Sequence, residues 1–500
     1  MRSTFVRSLL VVSAIFIAVF SAEFVFEWVR LGKPGVAEMS WAGNNNAKLV
    51  DLLSPMARAY NNILAMLLAT IGLAIPLTAN MHTPKLIDMF LRDRLNRAML
   101  SFMALAAANV LLVAYLIGPE FAPMWAFRVA VFGALAGWAL VIPYFLYVVR
   151  FLDPSNILTR LKDDVTAVVE QAAAGRIGLD EARQTVHERL HQIGTIVLKS
   201  LDRADRGVAL EGVWTLKRLL DHHGERKARM PAGWFVVDRG DFVGLSAEAI
   251  EVLNEERTWF EMKALAQLFL GYQHALAKTS DVISSISDAN RVVAVSAGRR
   301  GDLNALELSV RYFNNFLREA IKRKDTHAIY DVFYQYRLLA RDLPERSELL
   351  GEIGRYFRYY GELAQANGMG FISQLAAFDL GYMVRRAFEA SSPAAPNLLC
   401  EVLAIPHEGK LLVVKAKVIL GGFFLERSLV TEADLVRKNL QDVPNGLLTL
   451  AERDLLAADR VFFEVTDRQV NFEYLPTERR DHVRAFVASL DTDGERAASA

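Results

Sequence analysis

The sequence predicts a mainly α fold: a four-helix transmembrane domain, a cytoplasmic helical bundle or α-solenoid after it, and a small C-terminal α+β unit. Three observations carry that prediction. Apolar runs of spanning length crowd into the first 151 residues, and apolar positions then recur at helical spacing to about residue 390. Beyond Pro393 the runs become short, aliphatic and β-branched.

Composition sets the limits. At 53% hydrophobic and 23% charged over 500 residues, the chain fits neither a wholly soluble nor a wholly membranous protein, so its apolar residues must be concentrated. The length accommodates two or three domains, and three is the number adopted. Lys plus Arg equals Asp plus Glu at 57 each. Residues 1–150 hold 12 basic against 7 acidic side chains, leaving 45 against 50 beyond, which gives no basic surface for nucleic acid. One cysteine, Cys400, excludes an intrachain disulfide framework and a multi-cysteine metal cluster, and no cofactor is expected.

Four segments reach the roughly 20 residues that a hydrocarbon core requires: residues 9–29, 59–79, 98–118 and 121–149, within a domain ending at residue 151. Arg2 and Arg7 precede the first. Lys85, Arg92, Arg94 and Arg97 fill the link between the second and third, and Arg150, Arg160 and Lys162 follow the fourth. Four crossings put these groups on one side, so both termini are expected in the cytoplasm. Lys33 and Lys48, in the first outer loop, run against the pattern. The rival reading is a cleaved signal peptide ending near Ser21-Ala22; the apolar run continues through Phe24, Val25, Phe26, Trp28 and Val29, and cleavage would leave three spans.

Polar and small residues inside the spans are candidates for packing or for a pore. Glu23 and Glu27 share a helical face, with Arg30 three further on, as a charged pore mouth or an interfacial salt bridge. Asn61, Asn62 and Asn109 are costly in lipid unless paired and should face protein or water. Gly133 and Gly137 share a face where another helix can approach closely, within the chain or from a second copy.

In the link, Thr83-Pro84-Lys85-Leu86 is followed by Met89-Phe90-Leu91-Arg92-Asp93-Arg94-Leu95-Asn96-Arg97. This resembles a bacterial family of predicted membrane proteins of unknown function, in which a Ser-Pro-Arg-x-Leu segment and a Phe-Leu-Arg-Asp-Arg segment join the second and third of four N-terminal spans. Thr83 and Lys85 replace the usual Ser and Arg. The resemblance covers residues 55–150 and implies a topology and an inner membrane, with no agreed reaction or ligand. Read without the family, Pro84 opens a short basic amphipathic helix carrying Leu86, Met89 and Phe90 on one face. That helix rests on lipid headgroups or stops the second span from sliding.

Asp153-Pro154-Ser155-Asn156 breaks the last span and caps a new helix, opening the helical domain 152–392. Helices are expected at 207–222, 247–277, 304–322, 327–341 and 345–366, separated by Gly301-Asp302, Lys324-Asp325 and Leu343-Pro344. The aromatic cluster Tyr356, Phe357, Tyr359 and Tyr360 reads as core, or as a groove for a protein partner. Domain 393–487 is expected to mix strands at 398–404, 410–419, 423–429, 460–466 and 470–474 with helices near 432–440 and 447–458, ahead of a disordered tail, 488–500.

One motif carries chemistry. His187-Glu188-Arg189-Leu190-His191 matches HExxH, which on a helix sets two imidazoles one turn apart for zinc beside a glutamate general base. Glu211, twenty residues on, sits at the spacing of thermolysin-like zinc peptidases. Against that, Arg189 places a cation inside the motif, no strand precedes the helix, and Val186, Leu190, Ile193 and Val197 form a burial stripe with both histidines on its shoulder. His222-His223 reads as a helix-end pair facing terminal carbonyls. No phosphate-binding, dinucleotide-binding or nucleophile-elbow signature occurs.

The expected protein is a non-enzymatic integral membrane protein with lipid as its solvent. It is either an oligomeric channel or transport component gated by its cytoplasmic part, or an anchored scaffold or sensor that meets itself or a protein partner through its helices. A zinc peptidase using His187, Glu188 and His191 is the second alternative.

Overall fold

The computed structural model describes residues 46–81, 86–117, 123–242, 244–276, 278–461 and 471–498, and positions 14, 15, 17–19, 21–23, 25, 26 and 29 ahead of them. The chain divides into two compact units, Met1–Ile157 and Leu158–Ala500. Asp153 ends one helix and turns the chain into the next, its carboxylate accepting from the Ser155 backbone N–H at 3.0 Å.

In the first unit three described helices are long and apolar enough to cross a membrane: Leu53–Asn80, Arg94–Leu116 and Met124–Leu152. They are the expected second, third and fourth spans. Ten of the 21 positions of the first expected span lie outside the described residues, and the other eleven are helical. The burial pattern is that of helices in an apolar solvent. Val110, Val113 and Ala134 are fully buried, while Leu73 and Phe132 are 76% and 73% exposed, so both faces are apolar and hydrophobicity does not distinguish inside from outside. The inward face is instead marked by small side chains, with Ala57, Ala106, Ala107, Ala126, Ala130 and Ala134 letting the backbones approach. The short link helix Leu86–Arg92 buries Leu86 and Phe90, and Phe90 meets Phe151 edge-on at 5.4 Å. Arg92, Arg94 and Arg97 are exposed, and Asp93 caps the following helix by accepting from the Asn96 N–H at 2.9 Å. Lys85 lies outside the described residues.

The second unit is built of helices whose ends obey the capping signals. Asp205, Asp302 and Asp325 accept from the backbone N–H three residues on, at 3.2, 3.3 and 3.0 Å, and so open the helices Arg206–Arg226, Leu303–Arg323 and Thr326–Asp342. Gly301 and Lys324 close the preceding helices in the left-handed region, at φ 80° and 56°. Arg257, at φ 56°, splits the single helix expected at 247–277 into Ala247–Glu256 and Trp259–Ala275.

The expected α+β unit is corrected: among the described residues there is no strand. Residues 398–404 belong to the helix Ala395–Leu403 and its end, and 410–419 and 423–426 to the helix Leu411–Glu426. The physical reason is burial on every side. Twelve consecutive residues, Val413 to Phe424, are buried, so this helix carries no amphipathic period and reads as a short β-branched run. Its two cations are held individually. Lys415 bonds Glu473 at 2.8 Å and Asp454 at 3.0 Å. Lys417 donates to Ile405 O at 2.8 Å and Asn439 Oδ1 at 2.7 Å. Burial pushes the Lys417 ammonium down to about 8. The segments expected as domains 152–392 and 393–487 pack together, with Phe388 against Phe424 at 5.0 Å. Residues 462–470, which hold most of the strand expected at 460–466, lie outside the described set; residues 471–474, expected in a second strand, form a turn, with the Tyr474 N–H donating to Asn471 O at 3.2 Å; and the helix Thr477–Ala498 runs through most of the stretch expected to be a disordered tail.

Candidate functional site

The third span, Arg94–Leu116, has no charged residue after Arg97, and its buried stripe holds Met103, Ala106, Val110 and Val113. Asn109 belongs to that stripe, three residues from Ala106 and four from Val113, so an amide sits where the apolar pattern calls for a methyl group. It has a partner. Glu23 is 6% exposed and Asn109 9%, and Asn109 Nδ2 donates to Glu23 Oε1 at 3.4 Å. The other oxygens, Glu23 Oε2 and Asn109 Oδ1, are buried with no hydrogen-bond partner among the described residues.

Both side chains line a pocket of about 210 Å³, walled by Val19, Phe102, Val129 and Gly133. The remaining lining residues, Leu105 and Ala106, are apolar as well, so among the described residues no basic group lines the pocket with the carboxylate. Holding an ionised carboxylate away from water with one amide for a partner is expensive. Gly133 matters by its absence of bulk: a Cβ there would meet Ala106 Cβ at 3.8 Å, leaving the wall open.

The other expected site residues have different roles. Gly137 is filled within the chain, since a Cβ there would lie 2.2 Å from the Tyr60 hydroxyl, which donates to Met103 O at 3.3 Å. Gly137→Leu is therefore expected to displace Tyr60 and lower stability by about 2 kcal/mol. The check is the thermal unfolding midpoint of the detergent-solubilised chain, and an unchanged midpoint contradicts it. Asn61 bonds Ala57 O in its own helix at 2.8 Å, Asn62 is exposed, and Glu27 lies outside the described residues. The structure thus brings Glu23, Asn109 and Gly133 together and leaves Asn61 and Asn62 out.

In the second unit the helix Leu179–Asp202 carries the HExxH residues. Its stripe is as expected, with Val186, Leu190, Ile193 and Val197 buried. His187 turns inward against Trp259 at 4.8 Å and Phe242 at 5.5 Å, its Nδ1 3.6 Å from Asp241. Burial and the nearby Lys263 charge depress its imidazole to about 4, Asp241 opposing them. Lys263 lies 4.3 Å over the Phe242 ring. His191 is exposed, Glu188 and Glu211 are half-buried, and among the described residues no group of three His, Cys, Asp or Glu is placed to hold a metal. The packing makes the match a wall of the core. Zinc content measured after incubation and desalting is expected to be the same in the full chain and in His187→Ala; a stoichiometric zinc lost in the variant would contradict this.

A buried polar cluster escaped the sequence reading. His223 is fully buried and stacks on Phe260 at 4.1 Å. Trp234 Nε1 donates to its Nε2 at 3.1 Å, so Nδ1–H donates to Glu261 Oε1 at 3.0 Å. Lys227 sits 3.5 Å from Glu261 and 2.7 Å from Asp302. Burial alone would raise the Glu261 carboxyl, but His223 and Lys227 outweigh it and hold it below the ordinary carboxylate range. Adjacent His222-His223 was visible in the sequence; its partner, 38 residues away, carried no signal.

Residues 2–204 match the model of a family described as "Predicted membrane protein (DUF2254)", of unknown function. Together with three helices of membrane-spanning length, the match places the chain among membrane proteins. No curated protein matches. A solved structure titled "Circular tandem repeat protein with novel repeat topology and enhanced subunit contact surfaces" is similar at 15% identity and TM-score 0.29, covering 72% of this chain and 94% of that one.

Proposed function

We propose that the chain is a non-enzymatic, four-span inner-membrane protein with both termini in the cytoplasm, whose membrane unit translocates a proton or other cation through Glu23. The supporting observation is the buried Glu23–Asn109 pair lining a pocket with no basic residue among the described ones. An ionisable group among membrane spans is costly enough to need a reason, and binding a positive charge supplies one. Oligomerisation around the spans completes the path, and the helical unit Leu158–Ala500 gates it.

The test is flux in proteoliposomes. Under an inside-negative diffusion potential, a lumenal pH dye is expected to report proton entry with the wild-type chain and at least about ten-fold slower entry with Glu23→Gln, the loss of one charge-assisted contact. Equal proton rates, or no proton flux in either together with no Glu23-dependent uptake of an alkali or ammonium cation, reject this reading. A reporter fused after Ala500 is expected on the cytoplasmic side. The second reading, an anchored scaffold, draws on the larger share of the chain lying in Leu158–Ala500.

A further inference from the structure

The geometry points to a small organic ammonium, an amine with an apolar body of about six carbons, as the ligand of the Glu23–Asn109 pocket. This rests on the reading of Glu23 as the group that meets the translocated charge, and it names the class of charge.

Two features of the pocket select the ligand. The first is its donor set. Two oxygens, Glu23 Oε2 and Asn109 Oδ1, are buried and unpartnered among the described residues, while Glu23 Oε1 already accepts from Asn109. A bare hard cation of the calcium kind needs about six or more oxygens, or several waters in their place. Two oxygens among Val19, Phe102, Val129 and Gly133 leave such an ion underliganded. They suit an R–NH3+ group, whose N–H donors find a carboxylate and an amide carbonyl.

The second feature is volume. The pocket holds about 210 Å³, and about 150 Å³ of apolar cavity accommodates benzene. A proton alone leaves that space and its apolar walls unused. An alkyl or aryl body fills it and removes apolar surface from contact with water, which a neutral alcohol also does but without the charge.

The experiment is equilibrium binding to the full chain in nanodiscs at neutral pH, by calorimetry, with n-hexylamine, n-hexanol, and sodium or potassium chloride as separate probes. Hexylamine is expected to bind, and hexanol at least about ten-fold more weakly, the value of one charge-assisted contact. Glu23→Gln should bring hexylamine to the level of hexanol. Gly133→Val, which grows into the pocket wall and leaves the carboxylate in place, should weaken both organic probes. It also serves as the control if Glu23→Gln folds poorly.

Hexylamine and hexanol binding equally, as at a site for an acyl chain, overturns the inference. So does sodium or potassium binding in a Glu23-dependent way while hexylamine does not. If hexylamine fails to bind yet Glu23→Gln still abolishes proton flux, the ligand class is wrong and the translocation reading stands. Glu23-dependent hexylamine binding without flux supports the ligand class and rejects translocation.

Discussion

Glu261→Ala is expected to destabilise the Leu158–Ala500 unit by about 3–5 kcal/mol, the cost of breaking a buried charged pair and orphaning its partners. Glu261 is 3% exposed and takes the Nδ1–H of His223, while Lys227 stands 3.5 Å away. Removing the carboxylate strands the imidazole N–H beneath Phe260 and Trp234 and leaves Lys227 to Asp302 alone. Urea unfolding of the full chain in detergent, followed by tryptophan fluorescence, measures it, since Trp234 and Trp259 lie 5.1 Å apart beside the cluster. A loss below about 1 kcal/mol, the scale of an exposed ion pair, would contradict the buried-network account.

The same cluster sets a pH dependence. Glu261 is held below its ordinary value, so folded chains bind fewer protons there than unfolded ones, and stability rises with pH through that window. The contribution is fully present above the usual glutamate value near pH 4.3 and is lost as pH falls through the lower folded value. Glu261→Gln is expected to flatten the acid limb of the stability curve; a limb as steep as wild type would argue against the assignment.

Gly422→Val is expected to cost about 3 kcal/mol or more by overpacking. A Cβ at Gly422 would fall 2.5 Å from Val483 Cγ2 and 3.1 Å from the Val483 backbone N and Cα, and one at Gly421 would enter the Phe486 ring at 2.4 Å. A side chain can swing aside, but the backbone at Val483 moves only with the whole helix. Gly351 provides the contrast. It lies inside the helix Ser347–Ala366 with nothing within 4 Å of its would-be Cβ, so Gly351→Ala should stabilise by about 0.5–1 kcal/mol. Denaturation midpoints of the two variants should move in opposite directions, and movement in the same direction rejects the packing argument.

Much of the helical architecture was legible because its signals are local. The breaks expected at Gly301-Asp302 and Lys324-Asp325 separate helices, with Gly301 and Lys324 ending one by adopting positive φ and Asp302 and Asp325 capping the next. The spans at 59–79, 98–118 and 121–149 fall within or nearly within observed helices, since length and lack of charge need no partner to be recognised. The strands failed at Val413–Phe424 because burial on every side erases the alternation that distinguishes helix from strand. Of the site, Glu23, Asn109 and Gly133 were nameable as costly or permissive residues, yet nothing local distinguished Asn109 from Asn61 and Asn62.

The sequence by itself determined the membrane-length helices, the helix breaks near residues 302 and 325, and the short list of polar residues that lipid would not tolerate. These follow from hydropathy, caps and charge, which act over a few residues. Only the tertiary structure decided which of those residues meet. It joined Glu23 to Asn109 across 86 positions and His223 to Glu261 across 38, and it turned His187 into a core contact. Such pairings depend on the three-dimensional packing of separate helices, and a pairwise contact leaves no periodicity along the chain for either partner to display.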